Sequence, residues 1–374
     1  DSDTLVKSAT ELVETKYYAA TRQLINALEA VRPKATHEAG IGRLPQGAKL
    51  YQTLIQHLGN STKTADEIHQ LGLAEVTRIT AEMDGLLKEV GYVDGTVGER
   101  MQVLLNDPQY LYPNTPEGKQ QLMADIDADL ALVDAKLPDW FGRLPNQDVA
   151  IEAVPDSRAA STSGAFYDAP SQDGSRKGTF WISLYDTASL PSYSLQTLTY
   201  HETNPGHHLQ TIIGLSDELP LLSTVFYSNA AGEGWALYAE RLAAEMGIYA
   251  NDPIDNIGRL QSELHRAVRL VVDTGMHAKG WSREQAIDYA VVTEGIHLSE
   301  ATGEIERYTV WPGQALGYKL GELKIIELRT KAKQVLGDKF DIKVFHDRLL
   351  ENGALPLDLM EQKINQWLAS ETAA

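Results

Sequence analysis

The fold and chemistry of this chain centre on one stretch, YHETNPGHH, at residues 200–208. In the common zinc-peptidase motif His-Glu-x-x-His, two histidines four residues apart bind the metal from one helix face, and the glutamate is the general base. Here the fourth residue after His201 is Pro205, so the motif is interrupted. An ideal helix would place His207 about 120° around the axis and about 9 Å along it from His201, too far to share a metal.

Pro205 and Gly206 can change the course of the helix between the two histidines. Proline removes a backbone hydrogen-bond donor, and glycine accepts backbone angles that other residues avoid. Together they predict a kink or bulge that returns a later histidine to the metal, with His207 as the second ligand and His208 as the alternative. The competing interpretation is a group of surface histidines near a helix end. Three histidines, a glutamate and Pro-Gly within eight residues favour the metal site.

A third ligand is expected from the following helix, and the candidate is Glu233 in AGEGWALYAE, residues 231–240. The flanking Gly232 and Gly234 allow two backbones to approach closely. The otherwise apolar helix would bury Glu233, which would then need a partner such as a cation. Glu240 lies two turns later on nearly the same face and is a candidate to orient a metal ligand. The alternative is that Glu233 forms a salt bridge at a helix start.

The composition narrows the class of protein. The chain has 374 residues, of which 43% are hydrophobic, and a formal net charge of -19. An acidic surface repels phosphate backbones, so we expect no nucleic-acid partner. The chain has no cysteine, which excludes disulfides, zinc-thiolate sites and cysteine nucleophiles. No apolar stretch approaches about 20 residues, so we expect no membrane-spanning segment.

The first residues of the chain give information on the cellular location of the protein. The first residues, DSDT, do not resemble a signal peptide, and no initiator methionine precedes them. We therefore expect a processed or trimmed chain, with any targeting signal upstream of it. An extracytoplasmic location, either periplasmic or lipid-anchored through an upstream segment, is favoured over a cytoplasmic one, although a chain without cysteine fits both. The sequence leaves the oligomeric state open.

Helical periodicity dominates the chain. Apolar residues at helical spacing run from residue 4 to 31, Thr64 and Glu67 form a capping-box pattern, and Thr115 and Pro116 begin another helix. These signals predict a helical region over residues 1–145.

The one clear sheet signal lies just before the histidines. Residues 148–154 and 177–184 alternate apolar and polar positions and carry β-forming residues, with a Ser/Gly/Asp-rich loop between them. Helices are predicted again at about 192–213, 229–247, 253–279, 282–297, 313–336 and 356–369. The pattern predicts a mainly α fold (α+β) with one small β-sheet before the metal-binding helix. Residues 146–374 form the predicted catalytic region, in one cooperative unit with the N-terminal region.

Six blocks of sequence are distinctive in this chain. They are GRLPQG at 42–47, EIHQLG at 67–72, HETNPGHHLQ at 201–210, GEGWALYAE at 232–240, VDTGMHAKGW at 272–281 and RYTVWPGQALGYK at 307–319. Together they resemble a bacterial family, the domain of unknown function 885, and the resemblance covers nearly the whole chain. The resemblance implies a helical gluzincin-like metallopeptidase fold, similar in motif logic to zinc peptidases with a glutamate third ligand. It implies zinc bound by His201, His207 and Glu233, with Glu202 as the general base.

Residues downstream are candidates to complete such a site. Tyr308 and Tyr318 are candidate catalytic residues that would stabilise an oxyanion, or else they pack in the core. Arg307 and Lys319 are candidates to bind a substrate carboxylate, or else they are solvated helix charges.

Two further features suggest substrate binding. Asp273 and His277 are four residues apart on one helix face, and they are candidates for substrate binding, for a second metal site, or for a satisfied Asp–His pair between helices. The strand at residues 178–184 is a candidate edge strand that would hold an extended peptide by main-chain hydrogen bonds.

Three functions fit these observations. The leading hypothesis is a zinc-dependent peptidase that hydrolyses short peptides with a metal-activated water and Glu202 as the base. The second is a zinc hydrolase of another amide or ester bond, because the same chemistry serves both. The third is a non-catalytic helical protein that binds a metal or acts as a scaffold.

Overall fold

The structure, a computed structural model, describes residues 2–36, 38–160, 162, 164–215, 219 and 226–373. The chain divides into two compact units, Asp1–Ala39 and Gly40–Ala374. The second unit runs across position 145, so the sheet and the metal-binding segment share this unit with most of the N-terminal helical region.

The first unit is helical. It contains α1 (Ser2–Leu12), a π-helical segment (Val13–Tyr17) and α2 (Tyr18–Val31). The helical spacing of its apolar residues predicts this structure.

The second unit is mainly helical, which confirms the predicted fold class. Its first part contains α3 (Gly47–Leu58), α4 (Ala65–Glu89), α5 (Val97–Leu105), α6 (Pro116–Asp134), α7 (Leu137–Trp140) and α8 (Asp156–Ala159). Its second part contains α9 (Ser192–Glu202), α10 (His207–Gly214), α11 (Asn229–Glu245), α12 (Pro253–Lys279), α13 (Arg283–Glu294), α14 (Leu298–Val310), α15 (Gly317–Leu336), α16 (Ile342–Leu350) and α17 (Leu357–Ala373). In the described part of the chain, no helix is both long enough and apolar enough to cross a bilayer.

The predicted helix starts are found in the structure. The backbone N–H of Glu67 donates to the Thr64 hydroxyl at 3.3 Å, and the Glu67 carboxylate accepts from the backbone N–H of Thr64 at 2.7 Å. Thr115 caps α6 with its hydroxyl alone, which accepts from the backbone N–H of Gly118 at 3.2 Å. These local contacts satisfy backbone donors that the first turn of a helix leaves free.

The small sheet has three strands in the described residues, β1 (Ala150–Ala153), β2 (Ala165–Asp168) and β3 (Thr179–Ile182), in the order β1-β3-β2. β1 and β3 are parallel, and β2 is antiparallel to β3 with Phe166 opposite Trp181. Sequence alternation predicted β1 and β3 but left β2 in a loop. The prediction that the strand at residues 178–184 is an edge strand was wrong. This strand is β3, which is central, and the edge strands are β1 and β2.

The main core lies beside the metal-binding segment. Tyr200 and Trp235 are fully buried there, next to His201 and two residues after Glu233. The helices α11 and α15 approach so closely that a Cβ atom on Gly234 would lie 2.4 Å from the Cα atom of Gly321. This packing holds the helix that carries Glu233 in a fixed position.

Candidate metal centre and cleft

The interruption of the helix at Pro205 and Gly206 is confirmed. Helix α9 ends at Glu202, and α10 begins at His207. A Cβ atom on Gly206 would lie 2.0 Å from the carbonyl oxygen of His201, so the chain can turn back tightly only with glycine here. The indole N–H of Trp235 donates to the carbonyl oxygen of Pro205 at 2.9 Å and anchors the turn.

This turn brings the three predicted ligands together. His201, His207 and Glu233 each offer one ligand atom, and these atoms lie within 4.8 Å of one another. The Oε2 atom of Glu233 is 3.7 Å from Nε2 of His201 and 3.3 Å from Nε2 of His207. The described residues contain no other such cluster of three histidine or acidic side chains.

The spacing of these atoms fits a tetrahedral zinc site. Zinc bonds of about 2.0–2.2 Å to nitrogen and oxygen place neighbouring ligand atoms about 3.3–3.5 Å apart. The two distances to Glu233 fall at or close to that range, whereas both exceed the usual length of a direct N–H···O hydrogen bond, about 2.7–3.2 Å. The residue types and these two distances therefore fit a zinc site.

A further carboxylate orients the first histidine. Nδ1 of His201 lies 2.7 Å from Oε1 of Glu240, which is only 2% exposed. The same carboxylate oxygen lies 3.6 Å from the Arg266 guanidinium. A carboxylate on the far nitrogen fixes the ring so that Nε2 is free to bind a metal.

The alternative ligand, His208, lies outside the cluster. Its Nδ1 atom is 3.0 Å from the Tyr167 hydroxyl, and its Nε2 atom is 2.8 Å from the carbonyl oxygen of Gln147. Both ring nitrogens are thus engaged in contacts that join α10 to the sheet region.

The carboxylates favour positive charge on the histidine rings of the cluster. Burial by itself would lower the pKa of His201, but the carboxylates of Glu233 and Glu240 outweigh it and raise this pKa to about 9. Burial would likewise raise the pKa of Glu233, but the two histidines hold it well below its usual range. Either a proton or a metal ion can supply the positive charge that these carboxylates stabilise.

A cleft of about 570 Å³ opens onto the cluster. Glu202, 8% exposed, lines it beside the two histidines. The edge strand β2 forms another part of its wall. The other polar residues that line it are Gln210, Thr211, Tyr227, Glu233, Arg266, Arg269, Glu304 and Tyr318.

The two candidate tyrosines have different surroundings. Tyr318 lines the cleft, and burial together with the nearby Glu233 carboxylate raises the pKa of its hydroxyl, which keeps it a hydrogen-bond donor. Tyr308 is 2% exposed and is not among the lining residues of that cleft. Its hydroxyl accepts from Arg269 at 2.7 Å and donates to Glu304 at 2.5 Å.

The structure does not bring the four predicted substrate-binding residues into the cleft wall. Lys319 is fully buried, with its ammonium 2.7 Å from Glu263 and 2.6 Å from Glu322. Arg307 donates to Gln314 at 2.7 Å and to Glu304 at 2.9 Å.

Asp273 and His277 also make contacts away from the cleft. Asp273 accepts from the Tyr51 hydroxyl at 2.5 Å and from the backbone N–H of Gly313 at 3.2 Å. Nδ1 of His277 accepts from the backbone N–H of Ile41 at 3.0 Å, and its Nε2 atom is 3.1 Å from the carbonyl oxygen of Tyr308. The two side chains face neighbouring elements rather than a common ligand.

Sequence reasoning missed several residues of the cleft, among them Tyr227, Arg266, Arg269 and Glu304. A signal for the arginines was present in α12, because both lie within a helix rich in buried apolar residues and a buried guanidinium needs partners. No comparable signal marks Glu304, which lies on an amphipathic helix like any surface glutamate.

Comparison with known proteins identifies relatives but no characterised activity. A search of curated protein sequences returned no match. A crystal structure from Colwellia psychrerythraea is similar, with a TM-score of 0.96 and 45% identity over 98% of this chain and 63% of that chain. A structure from Shewanella oneidensis, with a TM-score of 0.76 and 21% identity over 96% of this chain and 66% of that chain, supports the fold alone.

Both relatives are described as a "putative lipoprotein", and the second also as a protein of unknown function. The chain spans less than two thirds of the length of each. The family described as "Bacterial protein of unknown function (DUF885)" matches residues 1–364. This match covers the metal cluster, the cleft and both helical units, so the chain belongs to the DUF885 family of bacterial proteins.

Proposed function

We propose that this protein is a zinc-dependent hydrolase of peptide bonds that acts on short peptides. The observation that carries the proposal is the group of His201, His207 and Glu233 at zinc spacing, with Glu202 beside it in an open cleft. A buried site built only to stabilise the fold would need a closed set of ligands and no adjoining acid. Three ligands beside an open cleft are typical of catalytic zinc.

Each residue of the cluster has a role in this proposal. Zinc held here would polarise a substrate carbonyl and lower the pKa of the attacking water. Glu202 would accept a proton from that water and donate it to the leaving amine. Tyr318 would donate a hydrogen bond to the oxygen that becomes negatively charged. Glu240 would keep His201 in its binding orientation.

The cleft favours peptides over small esters as substrates. Residues Ala165, Phe166 and Tyr167 of the edge strand line it. An edge strand offers unpaired N–H and C=O groups with which an extended peptide can pair. The volume of about 570 Å³ accommodates a few residues.

We also propose that the protein acts outside the cytoplasm. The support is the 45% identical relative from Colwellia psychrerythraea, which is described as a "putative lipoprotein". Fractionation of the native host, with a cytoplasmic marker as control, tests this location.

The decisive experiment measures hydrolysis of a mixed short-peptide library by the zinc-loaded protein, with and without chelator. We expect cleavage that chelator abolishes and zinc restores. Cleavage of a small ester or a non-peptide amide alone would support the second hypothesis, a different zinc hydrolase. Binding without any cleavage would support a non-catalytic protein. The assay is run on the full 374-residue chain.

A further inference from the structure

Two arginines of α12 meet in the cleft wall. Arg266 and Arg269 are three residues apart, so they lie on neighbouring turns of one helix face. Their guanidinium carbons lie 6.0 Å and 4.4 Å from the centre of the Tyr318 ring. Because Tyr318 also lines the cleft near Glu233, the pair lies close to the metal cluster.

Both guanidiniums keep hydrogen-bond donors without a partner. Arg269 is 7% exposed, and its Nη1 atom has no acceptor in the described structure. Its other nitrogens are bound, Nε to the Tyr308 hydroxyl at 2.7 Å and Nη2 to Glu304 at 3.0 Å. In Arg266 the buried Nε atom likewise has no acceptor among the described residues. A buried donor without an acceptor is destabilising, and more so when it is charged.

The nearby carboxylates are fewer than the guanidinium groups that pair with them. Glu304 is shared by Arg269 and Arg307. Glu240 lies 3.6 Å from Arg266, but it makes its short contact, 2.7 Å, to His201. Glu304 also lies 3.5 Å from Nε2 of His265. Two carboxylates thus serve three guanidiniums and two histidines, so the pair in the cleft wall has capacity for another acceptor.

We propose that Arg266 and Arg269 form a carboxylate-binding subsite of the cleft. A carboxylate supplies two oxygens in a plane, which matches the forked donors of arginine. This subsite rests on the proposed function. It makes the substrate class more specific, namely short peptides with a negative charge near the scissile bond. The carboxylate is the free C-terminus of the peptide or an acidic side chain.

The cleft geometry accommodates both sources. Arg266 also lines a second cavity of about 530 Å³, which shares Leu198 with the first. A peptide that ends at the arginine pair would place its C-terminal carboxylate there. A longer peptide would continue into the second cavity and present a side-chain carboxylate instead.

Calorimetric titration of the full chain tests the subsite without requiring catalysis. The probes are acetyl-Ala-Ala and its C-terminal amide, together with acetyl-Ala-Glu-amide and acetyl-Ala-Gln-amide. Each is titrated into chelator-treated protein and again into zinc-loaded protein. We expect the carboxylate form of at least one pair to bind roughly 10–100-fold more tightly than its neutral partner, as is typical of charge-assisted hydrogen bonds. The pair that shows the preference identifies the source of the carboxylate.

Substitutions assign the preference to the arginines. Arg269→Gln and Arg266→Gln should each reduce the ratio of affinities at least several-fold. Arg329→Gln is the matched control, because Arg329 also pairs with a glutamate, Glu245, and lies over a tyrosine ring, but does not line the cleft. This variant should keep the ratio. If a glutamine variant fails to fold, Arg269→Lys keeps the charge without the forked donors and should give an intermediate ratio.

The subsite and the peptidase activity can fail separately. Equal affinities within both probe pairs, or a preference unchanged in Arg266→Gln and Arg269→Gln, would overturn the subsite even if the protein cleaves peptides. A carboxylate preference that depends on these arginines would support the subsite even if no peptide is cleaved, in which case the peptidase proposal alone fails.

Discussion

Glu240 holds His201 by its far ring nitrogen, with 2.7 Å between the carboxylate Oε1 and Nδ1. The two residues are 39 positions apart in sequence and belong to α9 and α11. The contact leaves Nε2 of His201 turned toward Glu233. A ligand set that is oriented before the metal arrives loses less freedom when it binds.

Glu240→Gln should therefore weaken metal binding without unfolding the protein. Loss of such a partner typically costs 10–100-fold in metal affinity. Competition against a zinc chelator measures the change, and thermal unfolding of the metal-free protein checks the fold. A variant with parental zinc affinity but lower stability would mean that Glu240 has only a structural role.

The ligand assignment predicts which histidine is needed for zinc. Elemental analysis should find one zinc per chain in the parent, and His201→Ala, His207→Ala and Glu233→Gln should each lose it, because two protein ligands seldom hold zinc against buffer. His208→Ala is the control, since both of its ring nitrogens already contact other groups. Loss of zinc in His208→Ala, with zinc kept in His207→Ala, would reverse the assignment.

Glu202→Gln should separate metal binding from catalysis. The substitution preserves the shape of the side chain and removes the base, so zinc content should match the parent. Turnover of the best peptide should fall by about 10²–10⁴-fold, the usual contribution of a general base. Measured turnover equal to that of the parent would show that Glu202 is not the base.

The two tyrosines should respond differently to loss of the hydroxyl. Tyr318→Phe should lower kcat by about 10²–10³-fold with little change in KM, as when one oxyanion donor is removed. Tyr308→Phe should instead cost about 1–3 kcal/mol of stability, because it breaks buried bonds to Arg269 and Glu304. Steady-state kinetics and denaturant unfolding on both variants make the comparison. The reverse pattern would assign the catalytic hydroxyl to Tyr308.

Stability should depend on pH through Asp255, in the first turn of α12. Burial, reinforced by the carboxylates of Asp252 and Asp129, raises its pKa from an ordinary 3.8 to about 7. The folded protein thus holds this proton more tightly than the unfolded chain, so the stability that it contributes is full below about pH 4 and is lost as pH rises towards 7.

Asp255→Asn should consequently stabilise the protein at pH 8 by about 1–2 kcal/mol and have little effect at pH 4. Denaturant unfolding at both pH values measures the difference. Asp358→Asn is the matched control, because Asp358 also lies in a first helical turn but is exposed. An effect of Asp255→Asn that is the same at both pH values would contradict the role of its proton.

The local features of the fold followed directly from the sequence. The caps of α4 and α6 and the break at Pro205 and Gly206 depend on residues within a few positions of one another, so sequence patterns predict them. Strand β2 was missed because it has only four residues and lies inside a polar loop. An alternation of apolar and polar residues over so short a stretch does not predict a strand. Its place at the sheet edge depends on pairing with β3, which lies eleven or more residues later along the chain.

The candidate site also has a part that the sequence predicts and a part that only the tertiary structure shows. The sequence by itself determined that His201, Glu202 and Glu233 are placed on helices where a metal site could form, because residue type and glycine spacing are local properties. Only the tertiary structure decided that His207 rather than His208 joins them, that Glu240 supports His201, and that two arginines of α12 line the cleft. Those contacts join residues far apart in the chain. Which side chains meet is set by how the helices α9, α11, α12 and α15 pack against one another.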